Sequence, residues 1–320
     1  MLERFLLLWL TLLGVLAFFW TQWFPGVWDP FVGTSAGLSP LFAVTMLAIG
    51  SLLPRDEIRQ VIRRWPTVLG GTAVQYAAMP LLAYGLARLF GLEGPALVGV
   101  LMAGCVPGAM ASNVLTMVAR GNVSYSVSLT TSATLFSPIM VPLALGLALG
   151  TETEGFPAAD LIWELCWMVV LPVVAGHFLS RRYAIWSAVA RRVGAIIANL
   201  TILWIIAVVV ANNRESLSQL ESRLLLALLG LNVGGYLAGT AGSFLLRLPA
   251  PMRRALTLEV GMQNAGLGTV LATRLFGDAC AVAPALYTFG CMFTGTILAR
   301  LWAVYGGNRP PEDDTERAPA

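Results

Sequence analysis

Ten stretches of this chain are apolar over about the length that one bilayer-crossing helix needs, and that leaves few folds open. They run over residues 5–24, 36–53, 66–90, 95–118, 122–149, 160–180, 193–213, 224–246, 255–276 and 280–305. Only 12% of the residues are charged, too few to cover the surface of a soluble domain of 320 residues. The reading is an all-α membrane protein with ten transmembrane helices. The first run is longer than a usual signal-peptide core and no small-x-small cleavage site follows it, so it counts as a span. The polar, proline-rich segment 307–320 is expected to be a disordered tail.

Several functions are excluded early. A net charge of +3 gives no footprint for nucleic acid. All twenty basic residues are arginine. The four cysteines lie far apart in apolar runs, so neither a disulfide framework nor a metal-binding pair is expected. The single histidine, His177, stands before Arg181-Arg182 and is read as interfacial; no transition-metal site is expected.

Arginine placement sets the orientation. The loops after runs 2, 4, 6 and 8 hold Arg55, Arg59, Arg63, Arg64, Arg120, Arg181, Arg182, Arg191, Arg192, Arg247, Arg253 and Arg254. The loops after the odd runs hold only Arg88, Arg214, Arg223 and Arg274, and the loop after run 5 carries Glu152, Glu154 and Asp160 instead. Both termini are therefore placed in the cytoplasm. That acidic loop divides the chain into halves of five runs. Five is odd, so the second half enters the membrane from the opposite side, the inverted-repeat arrangement of many secondary transporters.

In each half the fourth run is interrupted by glycine and polar groups: PGAMASN at 107–113 and EVGMQNAG at 259–266. Matched interruptions point to a binding site near the midplane. Glu259 is the sharpest feature, because a carboxylate within a span costs about 2.5–3.5 kcal/mol on insertion scales. It needs a proton, an arginine or a cation. Gln263 and Asn264 beside it argue against a mere boundary pair with Arg253 or Arg254. The first half offers oxygens to match: Gln75, Ser112, Asn113 and a hydroxyl cluster at 130–134 in which Thr130 and Thr134 share a helix face. One carboxylate among neutral oxygens suits one or two Na⁺ ions. Pro107 lacks a backbone donor, and Gly108 is expected to let the chain leave helical geometry, freeing carbonyls for a cation. The helix that restarts presents unpaired N–H groups to an anion. Gly261 is expected to do the same in run 9.

GCVPGAMASNVLTMVARGNVSYSVSLTTSAT at 104–134 and LEVGMQNAGL at 258–267 resemble the bile acid:sodium symporter family. The resemblance implies panel and core domains, with spans 4 and 9 unwound and crossing. It implies panel helices in 1–64 and 151–214, and core helices in 65–150 and 215–306. It implies two Na⁺ ions, one held by Ser112, Asn113, Thr130, Thr134 and Glu259. The other would use Gln75, Glu259 and Gln263 with the carbonyls of Val260 and Met262. The substrate would lie near Pro107, Gly108, Met110, Ala111 and Asn264. The family commonly has Pro-Gly-Gly where this chain has Pro107-Gly108-Ala109, and a small polar residue where Met110 stands, which makes the pocket here more apolar.

The expected function is sodium-coupled symport of an organic anion, bile-acid-like or a small carboxylate such as pantoate or a keto acid, by alternating access. The expected setting is a bacterial inner membrane, with the protein working as a monomer. A proton-coupled transporter stands as the alternative. A metalloid exporter would want a reactive cysteine after the span-4 proline, but Cys105 precedes Pro107. An intramembrane enzyme would need a catalytic constellation that one histidine and no lysine do not supply.

Overall fold

The computed structural model describes residues 6–54, 63–150 and 156–305. The expected tail at 307–320, the loop arginines Arg55 and Arg59, and the acidic pair Glu152 and Glu154 lie outside the described residues. Every regular element among the described residues is helical.

In chain order the helices are α1 (Leu6–Trp23), α2 (Pro30–Gly33), α3 (Leu38–Leu52), α4 (Trp65–Leu89), α5 (Gly94–Cys105) and α6 (Ala111–Val118). Then come α7 (Val123–Leu149), α8 (Ala158–Arg182), α9 (Ala184–Asn212), α10 (Arg214–Ser218), α11 (Ser222–Leu245), α12 (Ala250–Gly261), α13 (Ala265–Phe276) and α14 (Val282–Tyr305). By length and composition, six stretches can cross a membrane: Ser35–Leu52, α7, α8, α9, α11 and Asp278–Tyr305. Three shorter apolar stretches accompany them: Leu8–Trp23, α5 and α13. The chain is a multi-pass membrane protein. Leucine, valine and isoleucine side chains on the outer faces, among them Leu81, Leu147, Ile139 and Leu237, stay exposed as a lipid-facing surface requires.

The helices meet through small residues, as expected where the solvent is as apolar as the side chains. A Cβ on Gly50 of α3 would lie 2.6 Å from Val173 Cα of α8, and one on Gly176 would lie 2.9 Å from Ser51 N. On the other side of the molecule Gly235 and Gly239 of α11 face α12 at the same closeness: a Cβ on either would come within 2.9 Å of α12 backbone. The helices α1, α3, α8 and α9 pack on one another, and α4–α7 pack with α11–α14. Between the two groups, α13 meets α3, α8 and α9, and α7 meets α8.

Three expectations change here. The connection holding Arg181, Arg182, Arg191 and Arg192 is not a loop: Tyr183 alone separates α8 from α9, and Arg191 and Arg192 are helical. A helix continues past the apolar run wherever its backbone bonds outweigh the polarity of its side chains, so hydropathy marks the bilayer and not the helix end. The interruption in run 9 is at Met262–Asn264, and Gly261 is still the last helical residue of α12. His177, read as interfacial, is buried within the protein at 7% exposure, and among the described residues neither ring nitrogen has a hydrogen-bond partner.

Candidate functional site

Two helices are broken, and the breaks hold each other. Val106–Met110 separates α5 from α6, and Met262–Asn264 separates α12 from α13. The Ala109 N–H donates to the Met262 carbonyl at 2.8 Å, and the Asn264 N–H donates to the Pro107 carbonyl at 2.7 Å. These bonds make an antiparallel bridge between Gly108 and Gln263. Each break therefore supplies the partners that the other lost on leaving the helix, which is what backbone inside a bilayer requires.

Glu259 sits in the last turn of α12 beside this bridge and is 0% exposed. Ser112 Oγ, from the first turn of α6, donates to Glu259 Oε2 at 2.5 Å. Thr130 Oγ1 of α7 lies 2.8 Å from Oε1 and 2.9 Å from Oε2. Thr130 also reaches Asn113 Oδ1 at 3.4 Å. Among the described residues Glu259 makes no ion pair. Arg254 donates to the Ala119 carbonyl at 2.8 Å, and Arg253 lies over the Phe244 ring. The other buried acid gives the contrast: Glu164 accepts from Trp167 Nε1 at 2.8 Å and pairs with Arg274 at 3.2 Å. A hydrogen bond to a charged group contributes about 1.5–3 kcal/mol. Two hydroxyl donors therefore offset part of what burying Glu259 costs, but they bring no compensating charge.

Gly108 explains how the carboxylate fits. A Cβ at this position would overlap Glu259 Oε1 and lie 2.7 Å from Cδ. Its φ is not in the left-handed region, so the glycine serves close approach and not, as the sequence suggested, backbone freedom. Gly261 is similar: a Cβ there would fall on the Tyr236 ring, 2.8 Å from Cγ.

The structure brings most of the expected residues together. Ser112, Asn113, Thr130 and Glu259 form one connected set. Thr134, one turn further along α7, is half-buried and makes no hydrogen bond to Glu259. Gln75 Nε2 of α4 donates to Gln263 Oε1 at 3.2 Å, and Gln263 Nε2 donates to the Val260 carbonyl at 2.8 Å. The Met262 carbonyl accepts from Ala109. Whereas these polar residues are buried, Ala109, Met110, Ala111 and Asn264 are half-exposed on the rim. The Asn264 side chain accepts from Leu267 N and so caps α13. Pro107 and Gly108 themselves are buried. Sequence reasoning passed over Asn232, Tyr287 and Thr294, which gather behind the second break. Their only signal was a lone amide and two hydroxyls in apolar runs.

Among the described residues no three His, Cys, Asp or Glu side chains gather as transition-metal ligands would.

Residues 39–220 match the family described as Sodium Bile acid symporter family. The chain is 34% identical over 299 residues to the "Uncharacterized sodium-dependent transporter YocS" of Bacillus subtilis, covering 92% of this chain and 90% of that protein. It is 31% identical over 260 residues to the "Probable sodium/metabolite cotransporter BASS1, chloroplastic" of Arabidopsis thaliana. That match covers 81% of this chain and 65% of the plant protein. With the human "Sodium/bile acid cotransporter 4" the identity is 25% over 318 residues, 92% of this chain and 72% of the relative. These relatives are named as transporters and cotransporters, not as enzymes.

Proposed function

The chain belongs to the sodium bile acid symporter family, and from that premise we propose that it couples the downhill influx of Na⁺ to symport of an organic anion by alternating access. The observation that carries this reading is Glu259: a fully buried carboxylate with hydroxyl partners and, among the described residues, no cationic side chain paired with it. The relatives' names supply the ion: sodium stands in those of the bacterial, plant and human proteins.

The donor set fits such an ion. The two side-chain groups that hydrogen-bond the carboxylate are hydroxyls, and hard cations prefer oxygen ligands. A hydroxyl has two lone pairs beside its O–H. Ser112 and Thr130 therefore donate to Glu259 while keeping lone pairs for a cation. Two Na⁺ ions are assigned, one to Ser112, Asn113, Thr130, Thr134 and Glu259. The other is assigned to Gln75, Glu259, Val260, Met262 and Gln263. Sharing one carboxylate between the two sets would couple them. The sodium ions are cargo here, and no other cofactor is required.

The organic anion is assigned to the half-exposed rim of Met110, Ala111 and Asn264, over the buried backbone of Pro107 and Gly108. Ala109 and Met110 give that rim an apolar wall. This favours a substrate with hydrocarbon surface next to its charge, bile-acid-like or a small carboxylate such as pantoate or a keto acid. In the full reading ten spans form two inverted five-helix repeats. Spans 1, 2, 6 and 7 make a panel, the rest a core whose crossing helices carry the site, and the core moves against the panel. The protein works as a monomer with both termini in the cytoplasm of a bacterium.

The test needs no knowledge of the substrate. The purified protein is melted in detergent as Na⁺ replaces K⁺ at constant ionic strength. A ligand that binds only the folded state raises its stability by mass action. The expected result is a sodium-specific rise in Tm that grows with the logarithm of Na⁺ concentration above the dissociation constant and that Glu259→Gln abolishes. Equal melting in both salts would refute sodium binding, and a response to pH alone would move the coupling to a proton on Glu259.

A further inference from the structure

Behind the second break, on α11 and α14, lies a polar cluster that takes no part in the carboxylate site. Its focus is the carbonyl of Gly261, which closes α12 and has no N–H partner four residues on, because Ala265 N bonds to Gln263 O instead. Asn232 Nδ2 of α11 donates to that carbonyl at 2.8 Å, and Tyr287 OH of α14 donates to it at 2.9 Å. Both side chains are buried, at 2% and 1% exposure. The Asn232 amide is itself oriented. Thr294 Oγ1 donates to Asn232 Oδ1 at 2.6 Å, and Tyr236 OH lies 3.1 Å from Thr294 Oγ1. With its oxygen occupied by a donor, Asn232 must turn its NH₂ to Gly261.

The close approach of α11 to α12 makes this reach possible. A Cβ on Gly235, three residues from Asn232, would lie 2.9 Å from Gly261 Cα. Gly261 in turn has no Cβ to push Tyr236 away.

Three successive carbonyls therefore have three separate sets of partners. Val260 O accepts from Gln263, Gly261 O from Asn232 and Tyr287, and Met262 O from Ala109. Holding the middle one fixes the Gly261–Met262 peptide plane and with it both Cα atoms, so the flanking planes keep only the torsions at those two atoms, and their own bonds to Gln263 and Ala109 restrict these. We propose that Asn232 and Tyr287 are positioning residues for cation binding: by clamping the Gly261 carbonyl they aim the Val260 and Met262 carbonyls and hold the Glu259 turn in register. This inference rests on the sodium reading above. The clamp uses neutral side chains alone, so it persists whatever charge the carboxylate site carries. The break is thereby pinned on one side and left free to respond to the ion on the other.

The experiment is the same sodium titration of Tm on the full-length protein, with wild type, Glu259→Gln, Tyr287→Phe and Asn232→Leu. Tyr287→Phe deletes one hydroxyl and leaves Asn232 in place, so it keeps the test open where Asn232→Leu fails to fold. The expected result is a sodium-specific rise that survives in Tyr287→Phe, with its onset shifted to about three- to tenfold higher Na⁺, the scale of one lost hydrogen bond. A role confined to stability would lower the Tm in K⁺ and leave the onset at the wild-type value, and that outcome overturns the proposal. If wild type shows no sodium-specific rise, or Glu259→Gln keeps it, the sodium reading itself falls and the positioning role with it. A normal wild-type curve beside an unshifted Tyr287→Phe sinks the positioning role alone.

Discussion

Replacing Gly108 with alanine adds a single methyl group at the point where the two breaks meet. The added Cβ would lie 2.7 Å from Glu259 Cδ, whereas unstrained carbon contacts are about 3.5–4.0 Å. The carboxylate must therefore retreat by roughly 1 Å. Its bonds to Ser112 at 2.5 Å and to Thr130 at 2.8 and 2.9 Å would then stretch past useful length. Overpacking of this kind costs about 1–3 kcal/mol, and a hydrogen bond to a charged group about 1.5–3 kcal/mol. Sodium affinity should fall by about tenfold or more, since each 1.4 kcal/mol is a factor of about ten. The assay is the sodium titration of Tm. Gly266→Ala is the control, because the nearest atom to its Cβ is Asn264 Oδ1 at 3.8 Å. A Gly108→Ala protein whose Tm begins to rise at the wild-type sodium concentration would show that the close approach of Gly108 to the carboxylate does not matter.

Two further outcomes follow from the same geometry. Thr130→Val keeps the shape of the side chain but removes the hydroxyl that reaches both Glu259 oxygens, leaving Ser112 as its donor. Sodium affinity should drop by about tenfold with the protein still folded, read as a shifted midpoint in direct ²²Na⁺ binding. Gly176→Leu drives a branched side chain into the α3 backbone near Ser51 N, and it should cost about 3 kcal/mol or more. Loss of the monodisperse peak on size exclusion, independent of Na⁺, is the expected readout, and an unchanged elution profile would contradict the backbone-to-backbone packing of α3 on α8.

How much of this the sequence disclosed depends on how locally each feature is encoded. The helices follow the apolar runs because a bilayer permits little else, so their order was legible. The first break was legible too, because Pro107 removes a donor at a fixed place. The second was misplaced by one to three residues: Gly261 was taken as the breaker, yet it is helical and small for the sake of the Tyr236 ring. A glycine required by a distant side chain looks the same in sequence as one required by its own backbone. The start of α9 was missed for a related reason, since Arg191 and Arg192 mark where the apolar run stops and not where the helix does. Gln75, Ser112, Asn113, Thr130, Thr134 and Glu259 could be gathered from their chemistry before any geometry was known, whereas their division into two sites came only with the family resemblance, and that Thr134 makes no bond to Glu259 was not legible. Asn232, Tyr287 and Thr294 could not, because a lone amide or hydroxyl in a membrane helix commonly bonds its own backbone. Only the packing of α11 and α14 on the end of α12 shows that theirs do more.

Among the described residues the two buried acids differ in partner chemistry and not in burial, and the proposed role of Glu259 rests on that difference. Glu164 and Glu259 both lie inside the protein. Glu164 meets an arginine whose side chain is 55% exposed, and its charge is balanced by the protein itself at the edge of the structure. It joins α8 to α13, and nothing need arrive for that contact to be satisfied. Glu259 has hydroxyl donors on both oxygens and, among the described residues, no cationic partner, although Arg253 and Arg254 lie only one to two helical turns away on the same helix. Those arginines point elsewhere, one over Phe244 and one to the Ala119 carbonyl. Had either folded back onto Glu259, the charge would be neutralised permanently and no ion could exchange there. A transported cation needs a charge that the protein balances incompletely, held by oxygens that bind without closing the site. In the sodium reading proposed above, the hydroxyls of Ser112 and Thr130 on a carboxylate with no arginine beside it among the described residues meet that requirement.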